Sequence, residues 1–157
     1  MIFVTVGSQK FKFNRLLEEI DKLIERKVID EEVFAQIGAS DYEPKNYKYK
    51  YFITQDEFKE KMFKADLIIT HAGTGTIITA LKNNKKVIAI PRLAKYGEHV
   101  DNHQIQIIDE FKNLNLIEPV YEIKDLENAI KKVNIKKYDK YISNTETILN
   151  DIKKFIE

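Results

Sequence analysis

The chain contains no cysteine, which excludes disulfides and thiolate zinc sites and agrees with a reducing compartment. No window supplies the roughly eighteen apolar residues that a membrane span needs, and the first residues show no charged leader followed by an apolar stretch. The expectation is therefore a cytoplasmic protein whose attachment to a membrane, if it has one, is peripheral or through a partner. Charge of one sign is also lacking. With 26 basic and 25 acidic residues the net charge is +1, so nothing marks the whole chain for nucleic acid or an anionic surface, and no nucleic-acid partner is expected. Internal repeats, low-complexity tracts and linkers are absent, and 157 residues suit a single domain over 1–157. Glycine is scarce at five residues. Three of these, Gly73, Gly75 and Gly97, fall within residues 66–104, together with all three histidines, His71, His99 and His103.

The remaining pattern alternates strands with helices. Residues 2–6 form a short β-branched apolar run closed by Gly7, as in a strand buried on both faces. From Phe13 the apolar residues recur at three- and four-residue intervals to Val28, with Glu18 and Lys22 one turn apart on the solvent side. Residues 33–37 read as a second strand stopped by Gly38, and a short strand is expected near residues 51–53. Thr54 with Glu57 three residues later is a capping-box signature for a short helix whose buried side is Phe58, Met62 and Phe63. Strands follow at 67–70, 87–90 and, weakly, 116–117, with a short helix at 126–133. A long C-terminal helix is expected over about 138–156, its apolar stripe being either a packing face or a docking face for a second protein. The fold class this predicts is α/β, a Rossmann-like open, mainly parallel sheet with helices on both faces.

In such sheets ligands bind beyond the carboxyl ends of the strands, and two corners of the 66–104 window sit there. The first is strand 67–70, the loop His71-Ala-Gly-Thr-Gly75, and a helix beginning near Thr76. Glycines allow an anion close to the backbone, free N–H groups at the helix start point at it, and the hydroxyls of Thr74 and Thr76 can donate. His71 can add a donor or a positive charge. A phosphate or diphosphate cradle is the result; a tight turn with no ligand is the plainer alternative. A nicotinamide-type fingerprint fails because its third glycine is Ile78 and the strand ending at Ile90 supplies no acidic residue for a ribose. A Walker loop fails for want of Gly-Lys-Ser/Thr.

The second corner follows strand 87–90, runs from Pro91 and Arg92 to Gly97, and enters a helix at about Glu98. That helix puts His99 and His103 four apart on one face, flanked by Asn102 and Gln104. Two histidines at this spacing can hold zinc, but HExxH order is absent and no carboxylate is well placed as a third ligand, so no metal is expected. A solvated helix face remains open. The greater weight falls on polar recognition of a many-hydroxyl ligand such as a sugar.

Three blocks in order, Val4-Thr-Val-Gly7, His71-Ala-Gly-Thr-Gly-Thr76 and Gly97-Glu-His-Val-Asp-Asn-His-Gln104 after Ile90-Pro-Arg92, resemble the C-terminal, donor-binding half of family 28 glycosyltransferases. Nearest in kind are small one-domain subunits: the catalytic subunit of the two-part N-acetylglucosaminyltransferase of dolichol-linked glycan synthesis, and bacterial capsule and exopolysaccharide subunits that move a hexose or hexuronic acid to a lipid-linked sugar. The resemblance covers about residues 1–110. It implies that His71 and the loop Gly73, Thr74, Gly75 and Thr76 hold the diphosphate of a UDP-sugar donor without a further cofactor, that His103 and Gln104 face the sugar hydroxyls, with Arg92 and Asn102 alongside, and that Gly7, Ser8 and Gln9 line the cleft toward the acceptor. It departs at Thr79, where many relatives carry a glutamate for the uridine ribose; Glu98 is the available substitute.

Glycosyltransferases of the GT-B type close a cleft between two Rossmann-like domains, and this chain has length for one. The resemblance thus implies half an enzyme: a hexosyltransferase subunit whose membrane-associated partner binds the lipid-linked acceptor. A base must take the acceptor's hydroxyl proton; it lies in the partner or, in this chain, at His99 or Glu98. A non-catalytic nucleotide-sugar-binding or regulatory subunit, and a dinucleotide-binding protein, are the alternatives.

Overall fold

In the computed structural model, residues 1–7, 9–99 and 101–142 are described. Six strands form one sheet in the order β3-β2-β1-β4-β5-β6, every neighbouring pair parallel. They are β1 (Ile2–Thr5), β2 (Val33–Gln36), β3 (Lys48–Lys50), β4 (Leu67–His71), β5 (Lys86–Ile90) and β6 (Glu118–Pro119). The helices are α1 (Asn14–Glu25), α2 (Gln55–Lys64), α3 (Thr74–Lys82), α4 (His103–Asn113) and α5 (Leu126–Val133). The strand order reverses between β1 and β4, as in doubly wound nucleotide-binding sheets.

Strand alternation divides the core into two layers. Ile2, Val4 and Val6 pack with Leu16, Leu17, Ile20 and Leu23 of α1 and with Leu126, Ala129 and Val133 of α5. Phe3 points the other way, into a layer with Met62 of α2, Ile77 and Ala80 of α3, and Ile108 and Phe111 of α4. The sheet is thus covered on both faces, as the apolar runs without polar alternation require.

The helix caps and edges refine the sequence reading. Thr54 accepts from the Glu57 N–H at 3.1 Å, a cap that contributes about 1 kcal/mol to α2. Phe63, expected on the buried side of α2, is 80% exposed. Phe58 and Met62 lie one turn apart on the core face, and the next position is carried about 100° around the helix. β3 forms three residues earlier than expected, and β6 falls at Glu118–Pro119 rather than at 116–117; a proline is tolerated there because β6 is an edge strand. Residues 138–142, where the C-terminal helix was to begin, are irregular. The rest of that helix, with its docking role, and Ser8 lie outside the described residues.

No helix bridges β2 and β3. The connecting loop is instead tied to α1 by Asp21, which is 2% exposed and accepts from the Tyr42 hydroxyl at 2.6 Å, Lys45 N at 2.8 Å and Asn46 N at 2.9 Å. Asn14 does the same nearer the carboxyl edge, its Oδ1 accepting from Asp41 N and Tyr42 N at 3.1 Å.

Candidate donor-binding site

The central strands end level with one another. Thr5 lies opposite Thr70, and His71 opposite Ile90, so the chain leaving β1 at Gly7, β4 at His71 and β5 at Pro91 converges on one edge. This is the side of the sheet, beyond the strand ends at the reversal point, where α/β folds bind ligands.

His71 is the hub of that edge. It is 7% exposed and held between two glycines: a Cβ on Gly7 would stand 2.7 Å from its Nε2, and one on Gly73 2.5 Å from its Cε1. Neither position can carry a side chain without moving the ring. Gly7 has a second reason to be glycine, a φ of +78°, where L-residues are strained. Burial first, then the Arg92 and His99 charges, push the His71 pKa down to about 3. The ring is therefore neutral near pH 7, which corrects the expectation of a positive charge here: His71 offers the cradle a donor or an acceptor and no cation. Its Nδ1 is buried and has no hydrogen-bond partner.

This neutral burial carries a pH signature. Unfolded, the imidazole takes up a proton near its ordinary value of 6.5, whereas in the folded state it does so only near 3. Between those values the unfolded chain binds more protons, so stability falls as pH drops from 6.5 toward 3, by up to about 1.4 kcal/mol per pH unit. Urea midpoints measured between pH 7 and pH 4 are expected to fall steeply for the native chain and more shallowly for His71→Gln. Equal slopes would mean that His71 is not the buried group responsible.

The cradle follows at once. Gly73 is the N-cap of α3 and provides no side-chain cap, and the first intrahelical bond runs from Ile77 N to Gly73 O at 3.1 Å. The N–H groups of Thr74, Gly75 and Thr76 thus have no acceptor within the helix and concentrate positive potential at its start. Thr74 is buried and Gly75 exposed. The Thr79 hydroxyl donates back to Gly75 O at 2.8 Å.

The second corner is built differently from the sequence expectation. Helix α4 begins at His103, not near Glu98; before it come a 3-10 turn (Ala94–Tyr96) and Gly97 in the left-handed region at φ +68°. Glu98 is turned inward, 4% exposed, and accepts from Arg15 Nε at 2.8 Å through Oε2 and from Leu93 N at 3.1 Å through Oε1. Arg15 also donates to Pro91 O at 2.8 Å and stacks on Tyr96 at 4.9 Å. Glu98 is therefore a clamp between α1 and the loop after β5, and it is not among the residues that line the cleft. Arg15 escaped the sequence reading because 83 residues separate it from its partner.

His99 and His103 do come together, but not as neighbours on one helical face. Asp101 joins them: its Oδ1 is 3.3 Å from His99 Nδ1 and its Oδ2 is 3.5 Å from His103 Nδ1. The His99 ring also lies 5.3 Å from that of Phe11. Gln104 is 6% exposed, and its Oε1 accepts from Arg92 N at 2.8 Å and from Ala72 N at 3.4 Å. It ties one corner to the other, so only its amide NH₂ remains for a ligand.

The two corners share one cleft of about 260 Å³, lined by Gln9, His71, Gly73, Thr74 and Gly75 on one side and by His99, Asp101, His103 and Gln104 on the other. Of the expected site residues that are described, Gly7, Thr76, Arg92, Glu98 and Asn102 are not in its lining. Arg92 is wholly buried, donates to Val6 O and lies 5.4 Å from the Phe13 ring, its pKa lowered by burial to about 10. Asn102 accepts from Ala94 N at 3.1 Å, and Thr76 lies beyond the lining. Among the described residues no cluster of three or more His, Cys, Asp or Glu side chains could hold a metal ion, and no helix is long and apolar enough to cross a membrane. A larger groove of about 500 Å³, lined by Lys85, Lys86, Lys136 and Tyr138, opens at the amino end of β5. It holds neither histidine nor a glycine loop, and the three histidines meet the glycine loop in the smaller cleft.

Comparison with known proteins identifies the family. The UDP-N-acetylglucosamine transferase subunit ALG13 of Candida albicans is 36% identical over 85 residues, 54% of this chain and 27% of the relative. The human protein of the same name is 27% identical over 118 residues, 68% of this chain and 10% of the relative. The chain thus spans about a quarter of the length of the first and a tenth of the second. Among solved structures, a glycotransferase of kitacinnamycin superposes with a TM-score of 0.64 at 16% identity, over 98% of this chain and 38% of that one. Acinetobacter baumannii MurG gives 0.56 at 16% identity, over 96% and 49%. At these identities the structures share the fold alone, that of one half of a two-domain glycosyltransferase. The sequence profile of the "Glycosyltransferase family 28 C-terminal domain" matches residues 1–157, and the chain belongs to that family.

Proposed function

We propose that the chain is the donor-binding, catalytic subunit of a two-component UDP-sugar transferase whose acceptor is a lipid-linked sugar. The observation that carries this is the pairing, in one cleft, of free N–H groups at the start of α3 with the neutral His71 ring clamped by Gly7 and Gly73. Such donors suit a diphosphate, and they gain strength as charge accumulates on a departing UDP. The cleft is smaller than the roughly 300–1,000 Å³ of a complete ligand pocket, consistent with one wall of a site completed by a membrane-associated partner that holds this chain peripherally at the membrane.

In the reaction, the acceptor hydroxyl oxygen bonds to the anomeric carbon while that carbon's bond to the diphosphate oxygen breaks, its electron pair leaving with UDP. The hydroxyl proton passes to a base, for which His99 is this chain's candidate. UDP-N-acetylglucosamine is the first donor to test, because the ALG13 relatives are named for it. UDP-hexoses and UDP-hexuronic acids, the donors of capsule and exopolysaccharide subunits, form the comparison arm.

Reconstitution with the partner, a lipid-linked acceptor and radiolabelled UDP-sugars tests the proposal. His71→Ala and Gln104→Ala are each expected to lower transfer by about 100-fold or more, the scale of losing positioned electrostatic donors. Transfer at full rate in both variants would reduce the chain to a binding or regulatory module.

A further inference from the structure

We propose that Asp101 is a positioning residue: it fixes the Nδ1–H tautomer of both His99 and His103 and so leaves both Nε2 atoms to the ligands of the cleft. This rests on the transferase function proposed above. One carboxylate reaches both rings by the same ring atom, Oδ1 to His99 Nδ1 at 3.3 Å and Oδ2 to His103 Nδ1 at 3.5 Å, and all three residues line the cleft. Oδ1 also accepts from His103 N at 3.0 Å, at the first residue of α4. That backbone bond foremost, with the two histidines adding to it, holds the Asp101 carboxyl below the usual carboxylate range, so the anion persists under assay conditions.

A neutral imidazole carries its proton on one nitrogen, and the partner of the other nitrogen decides which. For His103 the carboxylate beside Nδ1 draws the proton there. His99 has two claims on Nδ1, since the Asp101 N–H also approaches it at 3.4 Å and would favour an unprotonated Nδ1. The carboxylate oxygen lies nearer, at 3.3 Å, and carries a full charge, which favours a proton on Nδ1 more than the N–H disfavours one, and the Phe11 ring at 5.3 Å restricts the imidazole from turning away.

With Nδ1–H fixed, Nε2 of His99 presents a lone pair. As the acceptor oxygen bonds to the anomeric carbon and the bond to UDP breaks, the hydroxyl proton moves to that lone pair. Asp101 then faces the imidazolium across Nδ1, the role a carboxylate plays behind a catalytic histidine. His103 Nε2 is left as an acceptor for a sugar hydroxyl.

Long-range ¹H–¹⁵N spectra of the histidine rings test this without reference to activity. Two of the three histidines are expected to show the Nδ1–H pattern in the native chain and to shift toward Nε2–H in Asp101→Asn. The asparagine keeps an oxygen for the His103 N–H, so α4 begins as before, while Asp101→Ala loses that bond and reports the structural share. In the reconstituted transfer assay, Asp101→Asn is expected to lower kcat by about 10- to 100-fold, within the reach of general-base effects. Calorimetric affinity for UDP, which carries no sugar for His103 to meet, should stay within about twofold, whereas KM for the UDP-sugar is expected to rise as His103 Nε2 turns from acceptor to donor. Nε2–H on both histidines of the native chain, a native kcat in Asp101→Asn, or parallel losses of kcat and UDP affinity would each overturn the assignment. A native chain that shows the Nδ1–H pattern yet binds no UDP would overturn the transferase function and leave the tautomer assignment standing, so the two failures are distinguishable.

Discussion

Glu98→Ala is expected to lower the unfolding free energy by about 3 kcal/mol, read from urea denaturation of the native and variant chains. The magnitude follows from what remains behind. Glu98 and Arg15 have side chains 5% and 17% exposed, and removing one member of such a pair leaves the other charge largely out of water, at a cost near the lower end of the roughly 3–5 kcal/mol seen for buried pairs. The Leu93 N–H loses its acceptor as well. Glu98→Gln keeps an oxygen for Leu93 but not the charge, so a smaller loss is expected. UDP affinity should fall in both, because the loop that presents His99 and Asp101 is released from α1. The opposite pattern, a Glu98→Gln chain of native stability and native UDP affinity that transfers nothing, would restore Glu98 as the base.

The second large effect separates two glycines of one loop. Gly73→Ala is expected to weaken UDP binding by 100-fold or more, on the scale of a lost electrostatic donor, even though its backbone, at φ −77°, suits any residue. The added methyl would stand 2.5 Å from the His71 ring, and that ring is itself confined by Gly7. Overpacking of this kind costs about 1–3 kcal/mol of stability. Gly75→Ala should behave otherwise. Nothing lies within 4 Å of its Cβ position, and it sits in the first turn of α3, where replacing glycine stabilises by about 0.5–1 kcal/mol and raises Tm by roughly 2 °C. Yet the methyl would occupy the approach to the free N–H groups, and calorimetry should show UDP affinity reduced about tenfold, the equivalent of about one lost hydrogen bond. Native affinity in Gly75→Ala would mean that no phosphate comes close to this backbone.

What sequence could and could not show follows from the range of the interactions. The strand-glycine-helix corner at residues 67–76 and the Thr54 cap are local patterns, and both formed as expected, apart from α3 starting at Thr74. The corner after β5 was read as a helix from Glu98 because its residues are helix-compatible. Gly97 in the left-handed region and the inward pull of Arg15 on Glu98 delay α4 to His103. That pull comes from α1, and no spacing rule reaches across it. The neutrality of His71 was equally hidden, since it depends on Gly7 and Gly73 closing over the ring and on a buried Arg92 nearby. Asp101 stood in plain view within the Gly97–Gln104 block, but no spacing rule shows that one carboxylate reaches both His99 and His103.

The Gln104 carbonyl oxygen, shared between Ala72 N and Arg92 N, has a mechanical consequence. Because a single acceptor holds the backbone of both corners, neither can swing toward a ligand without breaking a buried bond, so this wall is set before the donor arrives. Under the proposed function, closure over the donor would fall to a rigid-body approach of a second surface, and ligand entry would impose little ordering entropy on this chain.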